Sequence, residues 1–120
     1  MDIVNRNDTT AFTTKDGSTI REILAYRNSV IRQQSLAEAS VPVNGSTAEH
    51  YHPNSEEIYY ILKGSGKIKI GEEFREVSEL DGIAIPPGAP HKIWNTGDME
   101  LVLLCMCAPA YEHEDTVLLE

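Results

Sequence analysis

Residues 45–64 read GSTAEHYHPNSEEIYYILKG, and this stretch decides the fold. It places His50 and His52 two positions apart and puts an acidic residue, Glu57, five positions further on. Side chains alternate between the two faces of a β-strand, so His50 and His52 are predicted to share a face. Two neutral imidazoles form half of a metal site, and the Glu57 carboxylate can add an anionic oxygen.

A second stretch, residues 86–95, reads PPGAPHKIWN and supplies a third imidazole. In a strand, His91 shares its face with Ile93 and Asn95, just as Glu57 would share a face with apolar neighbours. Apolar surroundings lower the local dielectric and strengthen the attraction between a cation and its ligands. We therefore predict that His91 comes from a neighbouring strand to the same ion.

The two stretches resemble the two motifs of the cupin superfamily. The first motif is His-x-His, three or four residues, Glu, six residues and Gly, which His52, Glu57 and Gly64 fit under the four-residue option. The second motif is Pro-x-Gly, two residues, His, three residues and Asn, and it is matched at Pro86, Gly88, His91 and Asn95. Such motifs are hypotheses whose structural context must be tested.

This similarity covers about residues 35–108 and implies an all-β double-stranded β-helix, or jelly-roll barrel. It implies a single cupin domain over residues 1–120, with the core motifs at 44–95. The turn pattern agrees, because many short strands bounded by turns are typical of a sandwich or small barrel. Strands are predicted at 18–26, 34–43, 57–62, 67–70, 74–77, 83–85, 91–95 and 100–107, with loops at 1–17 and 27–34.

Two positions depart from the cupin pattern. The motif glycine before the histidine pair is replaced by Asn44, and the glycine five residues before Pro86 is replaced by Leu80. Asparagine tolerates a positive φ, so the first turn is expected to survive. The second turn is expected to shift by two residues, to Gly82. Neither change removes a ligand.

The carboxylate ligand has one competitor, Glu56. It would be the ligand under the three-residue spacing, whereas only Glu57 has the correct spacing to Gly64. Strand alternation predicts that Glu56 faces solvent. A shifted loop would leave the choice between the two open.

Composition excludes several classes of protein. The 120 residues include 41% hydrophobic and 24% charged residues, as in a globular domain, and the net charge is −9. This charge repels phosphate backbones, so no nucleic-acid partner is expected. No apolar run reaches the roughly 18 residues of a membrane helix, and the first residues lack a signal-peptide pattern. We expect a cytoplasmic protein without a membrane partner.

Three further residues have a simpler interpretation than metal binding. Cys105 and Cys107 share a strand face with leucines and are interpreted as core residues, with no disulfide expected in a cytoplasmic chain. His113 lies among acidic residues and is interpreted as part of a solvated acidic tail.

The ligand set His50, His52, Glu57 and His91 suits Mn, Fe, Co, Ni, Zn or Cu, and it does not choose among them. The cupin resemblance, closest to small phosphomannose-isomerase-like proteins, implies a metal-dependent enzyme on a small oxygen-rich metabolite such as a sugar, of isomerase or epimerase type. The alternatives are an iron or manganese dioxygenase and a non-catalytic small-molecule binding protein. Tyr59 is the candidate proton donor, with core packing as its other interpretation.

A homodimer is also expected. The predicted strand at 100–107 is apolar on both faces, so one face can pack against a second copy of the chain. The alternative is a strand covered on both sides within one subunit.

Overall fold

The structure is a computed structural model that describes residues 1–120, and it is built from two antiparallel sheets. This confirms the predicted all-β jelly roll. The six-stranded sheet has the order β1 (Phe12–Thr13), β2 (Thr19–Leu24), β3 (Ser35–Val41), β10 (Leu101–Ala108), β5 (Glu56–Lys63), β8 (Gly82–Ile85). The five-stranded sheet has the order β11 (Val117–Leu118), β4 (His50–Tyr51), β9 (His91–Asn95), β6 (Ser65–Ile70), β7 (Glu73–Ser78).

The alternation of side chains decides what each strand places in the interior. On β5, Glu57, Tyr59 and Ile61 are buried, whereas Glu56 and Ile58 are exposed. This confirms that Glu56 faces solvent. Burial likewise alternates along β9. The apolar core lies between the two sheets and consists of Ala39, Val41, Tyr59, Ile61, Ile68, Val77, Ile83, Ile85, Ile93, Leu101 and Leu103.

Strand β10 lies in the interior of the six-stranded sheet, between β3 and β5. Leu101 and Leu103 are buried on its inner face, and Val102 and Leu104 are half-buried on the outer face. The outer face is therefore only partly accessible within the subunit, and the homodimer stays a prediction.

Both ends of the chain contain structure that the sequence did not predict. The first segment, predicted as a loop, forms β1, and the last segment forms β11, which pairs with β4. Each strand has only two residues, too few to show the alternation of apolar and polar side chains that predicts a strand. The helical content is two three-residue 3₁₀ turns, Arg6–Asp8 and His113–Asp115, and neither is long and apolar enough to cross a membrane.

The two positions that replace motif glycines both keep a left-handed backbone. Asn44 has φ 65° and Leu80 has φ 73°. The prediction for Asn44 is confirmed. The predicted two-residue shift of the second turn is wrong, because Leu80 itself adopts the glycine-like conformation. Hydrogen bonds from Leu80 N to Ile61 O (2.8 Å) and from Ile61 N to Asp81 O (3.0 Å) fix the turn there.

Leu80→Gly is expected to stabilise the protein by about 0.5–1 kcal/mol. A left-handed conformation costs a non-glycine residue about 1–2 kcal/mol, and the extra chain entropy of glycine offsets part of that gain. The Leu80 side chain is 72% exposed, so its removal sacrifices little packing. Urea unfolding of the two proteins measures the difference, and a destabilised variant would contradict the account of this turn.

Candidate metal centre

The three predicted imidazoles converge between the two sheets. His50 on β4 is paired directly with His91 on β9, and His52 lies one residue beyond β4. One ring nitrogen from each of the three lies within 4.8 Å of the others. Glu57 reaches them from β5 in the opposite sheet, with Oε1 3.4 Å from Nε2 of both His52 and His91. All four side chains are buried, with at most 6% of any residue exposed.

Hydrogen bonds at Nδ1 orient each ring. His50 Nδ1 lies 2.7 Å from the carbonyl oxygen of Ala48, and His91 Nδ1 lies 2.9 Å from that of Ala89. His52 Nδ1 lies 3.2 Å from the carbonyl oxygen of Asp115. A carbonyl oxygen only accepts, so Nδ1 carries the proton of each neutral ring. The Nε2 lone pairs are then free for a metal ion, with the backbone carbonyls fixing ring orientation.

Two buried atoms at the centre have no hydrogen-bond partner, Glu57 Oε1 and His91 Nε2. Both are acceptors in the neutral-histidine state, and an unpaired buried carboxylate oxygen is costly. A divalent cation next to these two atoms would satisfy both. The donor set therefore fits a transition metal, which His50, His52, His91 and Glu57 would hold.

The charge state of the metal-free centre follows from burial and mutual contact. Burial would raise the pKa of Glu57, but contact with the rings of His52 and His91 outweighs burial and holds this pKa at about 2. Burial would lower the pKa of His52, yet the Glu57 carboxylate raises it. Burial, followed by the nearby His91, lowers the pKa of His50. At neutral pH, Glu57 is therefore ionised and His50 is uncharged, as metal binding requires.

We expect acid to destabilise the metal-free protein through Glu57. A carboxyl with a pKa of about 2 when folded and 4.5 in its ordinary state contributes stability that is full above pH 4.5. That stability is lost as pH falls from 4.5 toward 2 and amounts to about 3 kcal/mol. The same Glu57 contact also raises the pKa of His52, so no separate stability is added for His52. Urea unfolding at pH 5 and pH 2.5 measures the loss. Glu57→Gln should lose clearly less over this interval, and equal losses would refute the assignment.

The Glu57 carboxylate has a second contact, with Cys107 on the adjacent strand. Glu57 and Cys107 are direct cross-strand partners, and the Cys107 Sγ–H donates to Glu57 Oε2 at 3.3 Å. Burial, followed by the Glu57 charge, raises the pKa of the Cys107 thiol, which therefore keeps its proton. Both cysteines are free, as expected, but Cys107 is more than a core residue. It engages Oε2 and leaves Oε1 for a cation.

The interpretation of the C-terminal segment as a solvated acidic tail is wrong for Asp115, although His113 itself is exposed. The Asp115 carboxylate accepts from the backbone N–H groups of Asn54 and Ser55, and its carbonyl orients the His52 ring. Thr116 Oγ1 lies 3.3 Å from the same ring nitrogen. This segment therefore fixes the loop between β4 and β5.

A cavity lies next to these ligands and has an interior space of about 50 Å³. Such a space admits water next to a cation, since a single water needs only about 10–15 Å³ of it. Tyr59 lines this cavity, and its ring meets that of His91 edge-to-face with centroids 5.9 Å apart. Burial, followed by the Glu57 charge, raises the pKa of Tyr59, so its hydroxyl is protonated at neutral pH.

Comparison with known families agrees with this geometry. The family model described as a cupin domain matches residues 37–107, which is more than half of the chain. The chain belongs to the cupin family. This cupin is 51% identical to an uncharacterized protein of Methanocaldococcus jannaschii, over 91% of its own length and 87% of that protein.

Solved structures share the fold. The polyketide cyclase RemF from Streptomyces resistomycificus is 25% identical and has a TM-score of 0.81, with 100% of this cupin and 86% of that chain covered. A predicted oxalate decarboxylase from Thermotoga maritima is 22% identical and has a TM-score of 0.79, with 90% of this cupin and 99% of that chain covered. The second similarity shows the fold alone. These similarities do not show the phosphomannose-isomerase-like subtype.

Proposed function

We propose that this cupin is a metal-dependent enzyme of isomerase or epimerase type, acting on a small oxygen-rich metabolite that is uncharged or singly charged. The observation that carries the proposal is the convergence of three Nε2 atoms and Glu57 Oε1 beside a cavity, with each Nδ1 already hydrogen-bonded. A bound divalent metal would supply Lewis-acid polarisation of a carbonyl oxygen.

The cavity lining supports the charge class of the substrate. Eleven of its 21 lining residues are hydrophobic, and none is Lys or Arg. A phosphate group is usually recognised by arginine, lysine or helix N-termini, and the cavity offers no such side chain. A free sugar or hydroxyketone fits this lining better than a sugar phosphate does.

Tyr59 supports the reaction class. Isomerisation and epimerisation transfer a proton from the carbon next to a carbonyl to a base, for which the cavity lining offers carboxylates, and the charge that develops on the carbonyl oxygen needs a proton or hydrogen-bond donor. Tyr59 lines the cavity and is buried, so its hydroxyl keeps its proton and can donate to a substrate oxygen. We assign it the role of proton or hydrogen-bond donor.

The test is proton exchange at carbon. The protein is loaded in turn with Mn²⁺, Fe²⁺, Co²⁺, Ni²⁺, Cu²⁺ or Zn²⁺ and incubated in D₂O with free aldoses, ketoses and small hydroxyketones. Nuclear magnetic resonance then detects deuterium at the carbon next to the carbonyl. We expect metal-dependent exchange with the free compounds and much less with their phosphate esters. Saturable binding without exchange would support the binding-protein alternative, and oxygen uptake with Fe²⁺ would support the dioxygenase.

Tyr59→Phe is expected to slow this exchange by about 100-fold or more, the usual contribution of a positioned proton donor. The variant keeps the aromatic ring, so its packing against His91 and its metal content should not change. Exchange rate and bound metal are measured on the same preparation. Exchange as fast as in the unmodified protein would show that Tyr59 only packs against its neighbours and does not donate a proton.

A further inference from the structure

One carboxylate at the centre belongs to neither cupin motif, and it is Asp16. It lies in the turn between β1 and β2, far from the motifs in sequence. Its Oδ2 is 3.5 Å from His50 Nε2, and only 13% of its side chain is exposed. Asp16 also lines the cavity. The N-terminal hairpin thus places a second anionic oxygen beside the imidazole cluster.

The turn holds this carboxylate in a fixed orientation. Oδ1 accepts hydrogen bonds from Thr14 Oγ1 (2.7 Å), Ser18 N (2.9 Å) and Ser18 Oγ (2.6 Å). The backbone carbonyl of Asp16 accepts from Ala48 N at 2.7 Å, which ties the turn to the segment leading into His50. With Oδ1 engaged on the turn, Oδ2 is left to face His50.

The two facing atoms are both acceptors. His50 donates from Nδ1 to the carbonyl of Ala48, so its Nε2 carries a lone pair in the neutral ring. A lone pair 3.5 Å from a carboxylate oxygen is unfavourable unless a proton or cation joins the two atoms. Glu57 Oε1 meets His52 and His91 in the same way at 3.4 Å. A cation held by the three imidazoles, whose ring nitrogens lie within 4.8 Å of one another, would have the Asp16 carboxylate beside His50 and the Glu57 carboxylate beside His52 and His91.

Charge balance points in the same direction. Three neutral imidazoles and one carboxylate leave a divalent cation with an excess positive charge in a buried site, which is costly. The Asp16 carboxylate cancels that excess. We propose that Asp16 is a fifth protein ligand of the metal centre, contributed by the N-terminal hairpin and selecting a divalent cation.

This assignment rests on the proposed metal site and changes what it offers a substrate. Five protein ligands leave one position open on an octahedral ion, whereas four leave two. Asp16 is more exposed than the histidines, at 13% of its side chain against 2% for His50. A substrate that binds through two oxygens would have to displace one of the five ligands, of which Asp16 is the most exposed.

The test compares the metal affinity of Asp16→Asn with that of the unmodified protein, by chelator competition with Co²⁺ and Zn²⁺. Asparagine has nearly the same shape but no charge, so we expect affinity to fall by more than about 100-fold, beyond the 10- to 100-fold cost of losing an outer contact, together with a changed visible Co²⁺ spectrum. Glu76→Gln, on the exposed part of β7, is the matched loss of one charge and should leave both unchanged. Affinity within twofold of the unmodified protein and the same spectrum would overturn the proposal.

A second measurement needs no variant. In the unmodified protein, Zn²⁺ should shift the ¹³C resonance of the Asp16 side-chain carboxyl, while that of exposed Asp8 stays in place. An unshifted Asp16 resonance in zinc-loaded protein would refute its ligation even if Asp16→Asn misfolds. If the unmodified protein binds no metal at all, the proposed function is refuted. The Asp16 assignment, which depends on a bound metal, is then refuted as well.

Discussion

His50→Ala should reduce metal affinity by more than about 100-fold, because loss of a ligand exceeds the 10- to 100-fold cost of losing an outer contact. His50 is the ring that contacts both His91, at 4.3 Å between centroids, and Asp16, so its loss disrupts two sides of the centre. Elemental analysis after dialysis measures the effect. We expect about one metal per chain in the unmodified protein and almost none in the variant.

His113→Ala is the matched control for this experiment. His113 is the one histidine of the four outside the cluster, and it is exposed. Its hydrogen bond with Lys15 uses the backbone carbonyl, which alanine retains. Near-stoichiometric metal in His50→Ala, or equal loss in the two variants, would refute the ligand assignment.

Removing the metal should lower thermal stability strongly. A ligand that binds only the folded state at 1,000 times its dissociation constant stabilises that state by about 4 kcal/mol. For a domain of this size, that corresponds to about 12–20 °C in the unfolding midpoint. Scanning calorimetry with saturating Zn²⁺ or Mn²⁺, and then with a chelator, measures the shift.

The origin of this stabilisation is local. In the metal-free protein, Glu57 Oε1 and His91 Nε2 are buried and make no hydrogen bond, and the 3.4 Å contacts of Glu57 with the His52 and His91 rings only partly offset this cost, which a metal would remove. His50→Ala should therefore respond to metal by only a few degrees. A shift in this variant as large as in the unmodified protein would place the metal elsewhere.

The burial of the four predicted ligands could be predicted because strand alternation is a local property. The apolar neighbours of Glu57 and His91 mark which side of each strand is buried, and the structure confirms both faces. The strand predicted at residues 91–95 has the same bounds in the structure. Local pattern and motif spacing were enough to find the interior face of the site.

The supporting residues could not be predicted, because they meet the site through contacts between distant parts of the chain. Asp16 lies in the turn after β1 and Asp115 in the 3₁₀ turn before β11, and these two strands have only two residues each, too few to reveal a register. The bond from Cys107 to Glu57 depends on which residues of β10 and β5 face each other. Pairing register of this kind is set by the whole sheet, not by one segment.

The position of the turn at Leu80 could not be predicted from the sequence for a different reason. The sequence suggested that the turn would move to a real glycine, since glycine adopts a positive φ most easily. The structure keeps the turn at Leu80, with φ 73°, because the hydrogen bonds to Ile61 and the following pairing of β8 with β5 fix its position. Tertiary context overrides the residue preference there, at a cost of about 1–2 kcal/mol.

The most direct test of the central claim is X-ray absorption spectroscopy at the metal edge of the purified, loaded protein. A centre built from His50, His52, His91 and Glu57 predicts nitrogen and oxygen neighbours at about 2.0–2.2 Å, with multiple-scattering features of about three imidazoles and no sulfur. A sulfur neighbour at about 2.3 Å, or fewer than two imidazoles, would contradict the account.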